Sequence, residues 1–294
     1  MVSPPVSFAD SPLVRGGLLR EVDQMAKIAV IGICGNSSFL EVEHFHQPGE
    51  TLAAKRCFQE IGGKGINQAI AAARMGAQVS FLAAVGEDGD FCKNAIEKEG
   101  VTPFLAKKNG EITTFAFILT DANGENRVTV YRGAELTEAD VAAYEPEIAD
   151  SDILLLQNEV PEVVNAKAIE IADRYGVKVI LNPAPARETT GKVFLVTPNE
   201  QEKAGLGQLQ FDHCVTTLGS RGCSIDDEIF IPAKKVKAVD TTGAGDTFNG
   251  ILAVCLAEGQ SLEEACRYAV AGSGISVTRK GVIGAIPYRK ELEL

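Results

Sequence analysis

Short apolar runs without alternation recur along this chain, and they restrict its fold more than any other feature. Residues 27–34, 79–85, 153–156, 177–181 and 193–196 are rich in Val, Ile and Leu and too short for buried helices. A half-exposed strand alternates apolar and polar side chains, so unbroken runs of this length suit strands covered on both faces, as in a parallel sheet. A further short strand is expected at 215–218. Glycine turns and helical spacing fill the intervals. Gly62-Gly63-Lys64-Gly65 opens an Ala-rich helix ending near Met75, and residues 161–175 form a helix between two of the runs. Strand, turn, helix, strand is the order of βαβ units, which predicts an α/β domain.

Other segments fall into place around that sheet. Helices are expected at 90–99, from Thr137 with a loose capping box to Asp140, at 247–258, and at 261–277 with Glu263 and Glu264 in its first turn. Residues 36–43 are mixed, 51–61 read as an extended piece outside the core sheet, and 229–239 as extended chain. Residues 113–119 and 127–131 are β-rich and flank a turn-forming stretch, 121–126, so they predict a hairpin. Together 36–61 and 113–134 read as a small β-sheet lid over the main domain, 25–294. Residues 1–24 lack the layout of a signal peptide and read as a loose, dispensable extension.

The stretch with most chemical content is Asp240-Thr-Thr-Gly-Ala-Gly-Asp246, followed directly by a helix. Small residues let backbone approach a ligand, and the first N–H groups of a helix have no partner within it, so an anion can sit there. The helix dipole favours an ionised Asp246 at neutral pH. A base beside an anion seat suggests phosphoryl transfer to a hydroxyl. A tight turn in which Asp246 caps its own helix is the plainer alternative. Polar residues also cluster where three strands stop: Gln157-Asn158-Glu159, Asn182-Pro183-Ala184-Pro185 and Thr197-Pro198-Asn199-Glu200. In open parallel sheets ligands bind at the carboxyl ends of strands, so these should share one crevice.

Composition narrows the partners. A formal charge of −12 argues against a nucleic-acid footprint and against an anionic membrane surface. Seven cysteines without a C-x-x-C pair fit reduced thiols in a cytoplasmic protein, and neither they nor the three histidines have zinc-ligand spacing.

Taken together, these stretches resemble the ribokinase, or PfkB, family of carbohydrate kinases. The likeness rests on Gly62-Gly63-Lys64-Gly65-x-Asn67-x-Ala69 with Gly76 and Gly86, and on Asp240 to Asp246. Pro48-Gly49-Glu50-Thr51, the 182–187 and 218–222 stretches and the 277–281 stretch add to it. It implies a three-layer α/β/α sandwich with a mainly parallel central sheet and a β lid. It also implies transfer of the γ-phosphate of ATP to a primary hydroxyl of a small sugar, D-ribose first. Another sugar or nucleoside kinase, or a sugar-binding regulatory protein of the same fold, are the alternatives.

The resemblance implies roles for single residues. Asp246 would be the base, and the amides of Gly243, Ala244 and Gly245 an anion hole, Gly245 also touching ATP. Gly62, Gly63, Lys64, Asn67 and Glu159 would hold the sugar, with Ser37 standing where the family usually carries an Asp. Asn199 and Glu202 would act on Mg²⁺ through water. Thr217, Leu218, Gly219, Ser220, Arg221 and Gly222 would line the ATP groove. Asp240, Thr242, Ser276, Arg279 and Gly281 would form a monovalent-cation site for K⁺. Residues 203–213 are shorter than the helix the family carries there, and Ile251 stands where it prefers a small residue. A lid with a free edge is safest when paired with its twin, so a homodimer is expected.

Overall fold

In the computed structural model, which describes residues 25–292, the apolar runs become the centre of a nine-stranded sheet. Its strands are β1 (Lys27–Ile31), β4 (Gln78–Val85), β5 (Thr102–Lys107), β8 (Ile153–Gln157), β9 (Lys178–Asn182), β10 (Lys192–Val196), β11 (Gln210–Thr217), β12 (Gly222–Ile225) and β13 (Ile229–Pro232). The spatial order is β13-β12-β11-β10-β9-β8-β1-β4-β5. Pairing is parallel from β5 to β11 and antiparallel from β11 to β13. From β1 the chain fills the sheet first toward β4 and β5 and later toward β8, so order reverses at β1. Crevices for ligands open at such reversals, beyond the carboxyl ends of the strands.

Helices cover both faces, which is why the strands carry unbroken apolar runs. On one face α1 (Lys64–Arg74), α2 (Asp90–Lys98), α7 (Ala244–Ala257) and α8 (Leu262–Ser276) share a core with Val30, Phe81, Leu155 and Leu195. On the other, α3 (Glu138–Ala143), α4 (Glu145–Ala149) and α5 (Glu162–Tyr175) pack on Ile31, Leu154 and Leu181. A four-residue α6 (Glu200–Lys203) follows β10. The expected capping box of Thr137 and Asp140 is present, and Ser261 and Glu264 form another at the start of α8. Ile251 is accommodated because α8 presents Gly272, where a Cβ would lie 2.2 Å from Ile251 Cδ1.

A second sheet of four strands forms the lid, ordered β3-β2-β6-β7: β3 (Arg56–Gly62), β2 (Gly35–Glu41), β6 (Phe115–Thr120) and β7 (Asn126–Tyr131). Residues 36–43, read as mixed, are mostly strand, and β2 is an inner strand paired with both β3 and β6. Of 229–239 only β13 is strand, and it pairs with β12 in a hairpin around Asp226. Residues 203–213 hold only the end of α6, a turn and the start of β11. The reading of residues 1–24 lies outside the described residues.

Candidate active site

Asp246 sits in the first turn of α7, 5% exposed. It does not cap its own helix. Gly243 is the N-cap residue, in a left-handed conformation with φ 74°, and makes no side-chain cap. The carboxylate turns instead to α1: Oδ2 accepts from Asn67 Nδ2 at 2.9 Å and Oδ1 from Gln68 Nε2 at 3.1 Å. The two helices can meet this closely because Gly250, one turn on, lies against the backbone of α1.

Burial pushes the Asp246 carboxyl above its ordinary value, against the lowering effects of Lys64 and of the Asn67 and Gln68 hydrogen bonds. Loss of water thus opposes the favourable field of the helix start. The group therefore titrates above the usual aspartate range and is a stronger base than a solvated carboxylate.

In front of Asp246 lies a cleft of about 210 Å³ lined by Lys64, Asn182, Ala184, Thr197, Asn199, Glu202, Thr217, Thr241, Gly243, Gly245 and Asn249. Anion seat, base and strand ends thus share one space. Gly245 lines the cleft and a Cβ on it would meet nothing within 4 Å, whereas one on Gly243 would lie 2.6 Å from Val282 Cγ1. Lys64 sits at the N-terminus of α1 on this cleft, and its charge acts on both Asp246 and Glu159.

On the lid side, Glu159 Oε2 accepts from the Lys64 backbone N–H at 2.7 Å. Burial raises this carboxyl above its ordinary value, partly offset by that hydrogen bond and by the charge of Lys64. Ser37 Oγ lies against Gly62, where a Cβ would approach it to 2.5 Å. Asn67 Oδ1 is buried without a partner, an acceptor suited to a ligand hydroxyl. Gly62, Gly63, Asn67, Glu159 and Ser37 therefore converge where the lid meets α1.

The nucleotide-side residues are less uniform. Asn199 and Glu202 form a reciprocal capping box: Asn199 Oδ1 accepts from Gln201 and Glu202 N–H, and Glu202 Oε2 from Asn199 N–H. Both line the cleft. Thr217 lines it too, while Gly219, Ser220 and Arg221 form an exposed 3-10 turn beyond Leu218, with Arg221 paired to Glu200 at 2.5 Å. Gly222 is buried, held by its close approach to Ile231 O.

Asp240 ties two loops together, accepting from Thr242 N–H at 2.9 Å and Gly281 N–H at 3.2 Å. Burial would raise its carboxyl, but those bonds and Lys280 outweigh it and hold it below the ordinary value. Ser276 is buried at the end of α8, and Arg279 instead pairs with Glu291 at 2.5 Å.

Sequence reasoning missed Gln68 and Asn249. Gln68 adjoins a named motif residue yet looks like one polar position in an apolar helix. Asn249 lies three residues beyond Asp246, on the same helix face, and that spacing was the available signal.

A crevice at the strand ends of an open α/β sheet, with a buried carboxylate beside a glycine-rich helix start, is the layout of a phosphotransferase acting on a hydroxyl. Comparison with known proteins agrees. The sequence profile described as pfkB family carbohydrate kinase matches residues 25–289. The ribokinase of Haemophilus influenzae is 37% identical over 90% of this chain and 96% of its own, and that of Bacillus subtilis 36% identical over 92% and 99%. Among solved structures, Thermotoga maritima ribokinase superposes with a TM-score of 0.81 at 34% identity, covering 91% of this chain and 98% of its own. Arabidopsis thaliana ribokinase, solved with ribose and ATP, also gives 0.81, at 27% identity over 92% and 98%. The chain belongs to the pfkB family of carbohydrate kinases. It is a sugar kinase, a transferase, with the ribokinase-like fold.

Proposed function

We propose that this protein is an ATP-dependent ribokinase, passing the γ-phosphate of ATP to the 5-hydroxyl of D-ribose. The observation that carries the reading is the place of Asp246, between the lid-side cluster and the cleft that holds the anion seat. Asp246 takes the proton of the attacking hydroxyl. The N–H groups of Gly243 and Gly245 serve the charge that builds on the transferring group, where fixed donors cost no reorganisation, whereas the Ala244 N–H already donates to Thr241 O at 3.3 Å. Lys64 adds a cation to the same cleft. Asn67 Oδ1, Glu159, Ser37 and the backbone of Gly62 and Gly63 hold the sugar hydroxyls. Ser37 supplies a neutral donor and acceptor where a double acceptor is usual, and such bonds set sugar choice.

Thr217 with Leu218, Gly219, Ser220, Arg221 and Gly222 borders the nucleotide. Glu202 has one carboxylate oxygen outside its capping box, so with Asn199 it fits a hydrated Mg²⁺, which keeps much of its water. Mg²⁺, when bound, neutralises phosphate charge. Asp240, Thr242 and main-chain oxygens of Ser276, Arg279 and Gly281 form an all-oxygen set suited to a hard monovalent cation such as K⁺, and the Asp240 tie holds the anion seat's entry loop. Seven free thiols fit a cytoplasmic setting. The lid leaves Phe117, Val128, Val130 and Tyr131 exposed, so a homodimer through the lid follows. A monomer by sedimentation at working concentration would remove that part.

The test is ADP release with Mg²⁺ and ATP over a panel of sugars and nucleosides, with and without K⁺. D-ribose should give the strongest release, stimulated by K⁺. Asp246→Asn should lower turnover by about 10²–10⁴-fold, or ~2.7–5.4 kcal/mol in the barrier, and keep the fold. Turnover near wild type in that variant discards Asp246 as the base. Calorimetric sugar binding without ADP release in the wild type would make it a binding protein instead.

A further inference from the structure

Behind the catalytic carboxylate runs a chain of buried amides. Gln68 is 0% exposed on α1, and both hydrogens of its Nε2 are used, one on Asp246 Oδ1 at 3.1 Å and one on Asn182 Oδ1 at 3.2 Å. Its Oε1 accepts from Gln157 Nε2 at 2.8 Å, at the end of β8. The amide can sit only one way round. A flip would set its oxygen against a carboxylate and its NH₂ against the NH₂ of Gln157.

Gln157 is itself packed against backbone, its Oε1 buried without a hydrogen-bond partner. Its Oε1 rests between Gly32 and Gly65, where a Cβ would approach it to 2.5 Å and 2.9 Å. The chain continues through Asn182, whose Nδ2 donates to Thr197 O at 3.1 Å. Thr197 Oγ1 donates to Asn249 Oδ1 at 2.5 Å, and Asn249 Nδ2 donates to Gly245 O at 2.8 Å. The ends of β8, β9 and β10 are thus joined to both the base and the first turn of α7.

We infer that Gln68, held by Gln157, is a positioning residue that fixes the plane of the Asp246 carboxylate so that a free lone pair faces the acceptor hydroxyl. Asn67 holds the other oxygen, but its own Oδ1 is buried without a protein partner and is left for a ligand. Gln68 does not line the cleft and touches no substrate, so it supplies the reference that sugar binding leaves unchanged. A base must be held in reach and in orientation, and a misplacement near 1 Å can cost roughly 10²-fold in rate. Other charged groups facing Asp246 are Lys64 at the start of α1, Glu159 after β8 and Glu202 on α6. None of them is hydrogen-bonded to its carboxylate among the described residues.

The inference rests on the ribokinase reading, so its test has one arm that needs turnover and one that does not. Gln68→Met fills the same volume without donors, Gln157→Met removes the donor that holds Gln68 Oε1, and Gln68→Glu keeps the acceptor for Gln157 while removing the donor to Asp246. With D-ribose and ATP, kcat should fall by about tenfold to a hundredfold in Gln68→Met, with the KM for ribose within roughly threefold of wild type. Gln157→Met should fall less, the double variant should be no worse than Gln68→Met, and Gln68→Glu should not rescue. In the second arm, the Asp246 carboxyl is titrated by carbon NMR, assigned by its absence in Asp246→Asn. Its pKa should rise by roughly one to two units in Gln68→Met, whatever the substrate proves to be. An unmoved titration overturns the inference, and so does a kcat loss that is additive in the double variant or that appears only as KM. A wild type silent on ribose but with the Gln68-dependent titration overturns the ribokinase reading and leaves the positioning role standing.

Discussion

Adding one methyl group at Gly250 tests whether the contact between α1 and α7 is what aligns the site. A Cβ built there lies 2.5 Å from Ala71 Cβ and 2.5 Å from Gln68 O, against an ordinary contact of 3.4–4 Å. Because Gln68 O and Ala72 N are backbone, the strain cannot be relieved by a side-chain rotation, and the helices must part by close to ~1 Å. Overpacking of this kind costs about 1–3 kcal/mol, and replacing glycine by alanine in a helix returns about 1. The net loss of about 0–2 kcal/mol lowers melting by no more than about 8 °C. The effect on rate is larger. The same parting stretches the Asn67 and Gln68 bonds to Asp246, now 2.9 and 3.1 Å, beyond hydrogen-bond reach. Misplacement on that scale costs on the order of 10²-fold in turnover. Gly250→Ala should therefore lose activity out of proportion to stability, read by ADP release at saturating ribose and ATP beside a thermal melt. Gly274→Ala in α8, where a Cβ meets nothing within 4 Å, serves as control: it should leave turnover unchanged and raise melting by about 2–4 °C. Full turnover in Gly250→Ala at an unaltered melting temperature would refute the reasoning.

Glu159 supplies a pH-dependent test. Its folded pKa is raised, chiefly by burial, so the folded state holds this proton more tightly than the unfolded chain does. Stability from the group is present below its unfolded value of about 4.3 and is lost as pH rises through the folded value. Glu159→Gln, whose amide oxygen can still accept from Lys64 N–H, should melt above wild type at pH 7, converge with it near the unfolded value, and raise the KM for ribose. A melting difference that is flat across this range removes the assignment. Gly243→Ala meets both a left-handed φ, at about 1–2 kcal/mol, and Val282 Cγ1. It should depress turnover strongly, and Gly243→Ala/Val282→Ala should recover only the packing part. Full recovery in the double variant would mean that the backbone conformation is unimportant.

How much of this was legible in the sequence depends on what each residue reports. The buried strands were plain because two-sided burial leaves unbroken apolar runs. β5 escaped because it carries Pro103 and Lys107, yet it is the last strand of the sheet, where a missing N–H is tolerated. The start of α7 was placed at Thr247, three residues late, because Ala244, Gly245 and Asp246 read equally well as loop and as a first helical turn. The second glycine motif was legible as a site, and Gly243 and Gly245 do line the cleft beside Asp246. The burial of Asp246 was not legible because local sequence displays the helix dipole, whereas the water lost to α1, 178 residues away along the chain, is a property of packing. Gln68 shows the same limit: its partners Gln157, Asn182 and Asp246 come from three other elements, and no periodicity announces them.

The lid is joined to the body at an instructive place. Only Gly63, at φ 127°, separates the end of β3 from the first residue of α1, and a Cβ on it would strike Ile33 O at 2.5 Å. On the other side β2 follows β1 after three residues, 32–34. A sheet wired this way has no slack at either junction, and its last residue abuts the first turn of α1, which carries Lys64 and Asn67. The covering sheet and the base are therefore seated on one helix: its start abuts the lid, and its Asn67 and Gln68 grip Asp246.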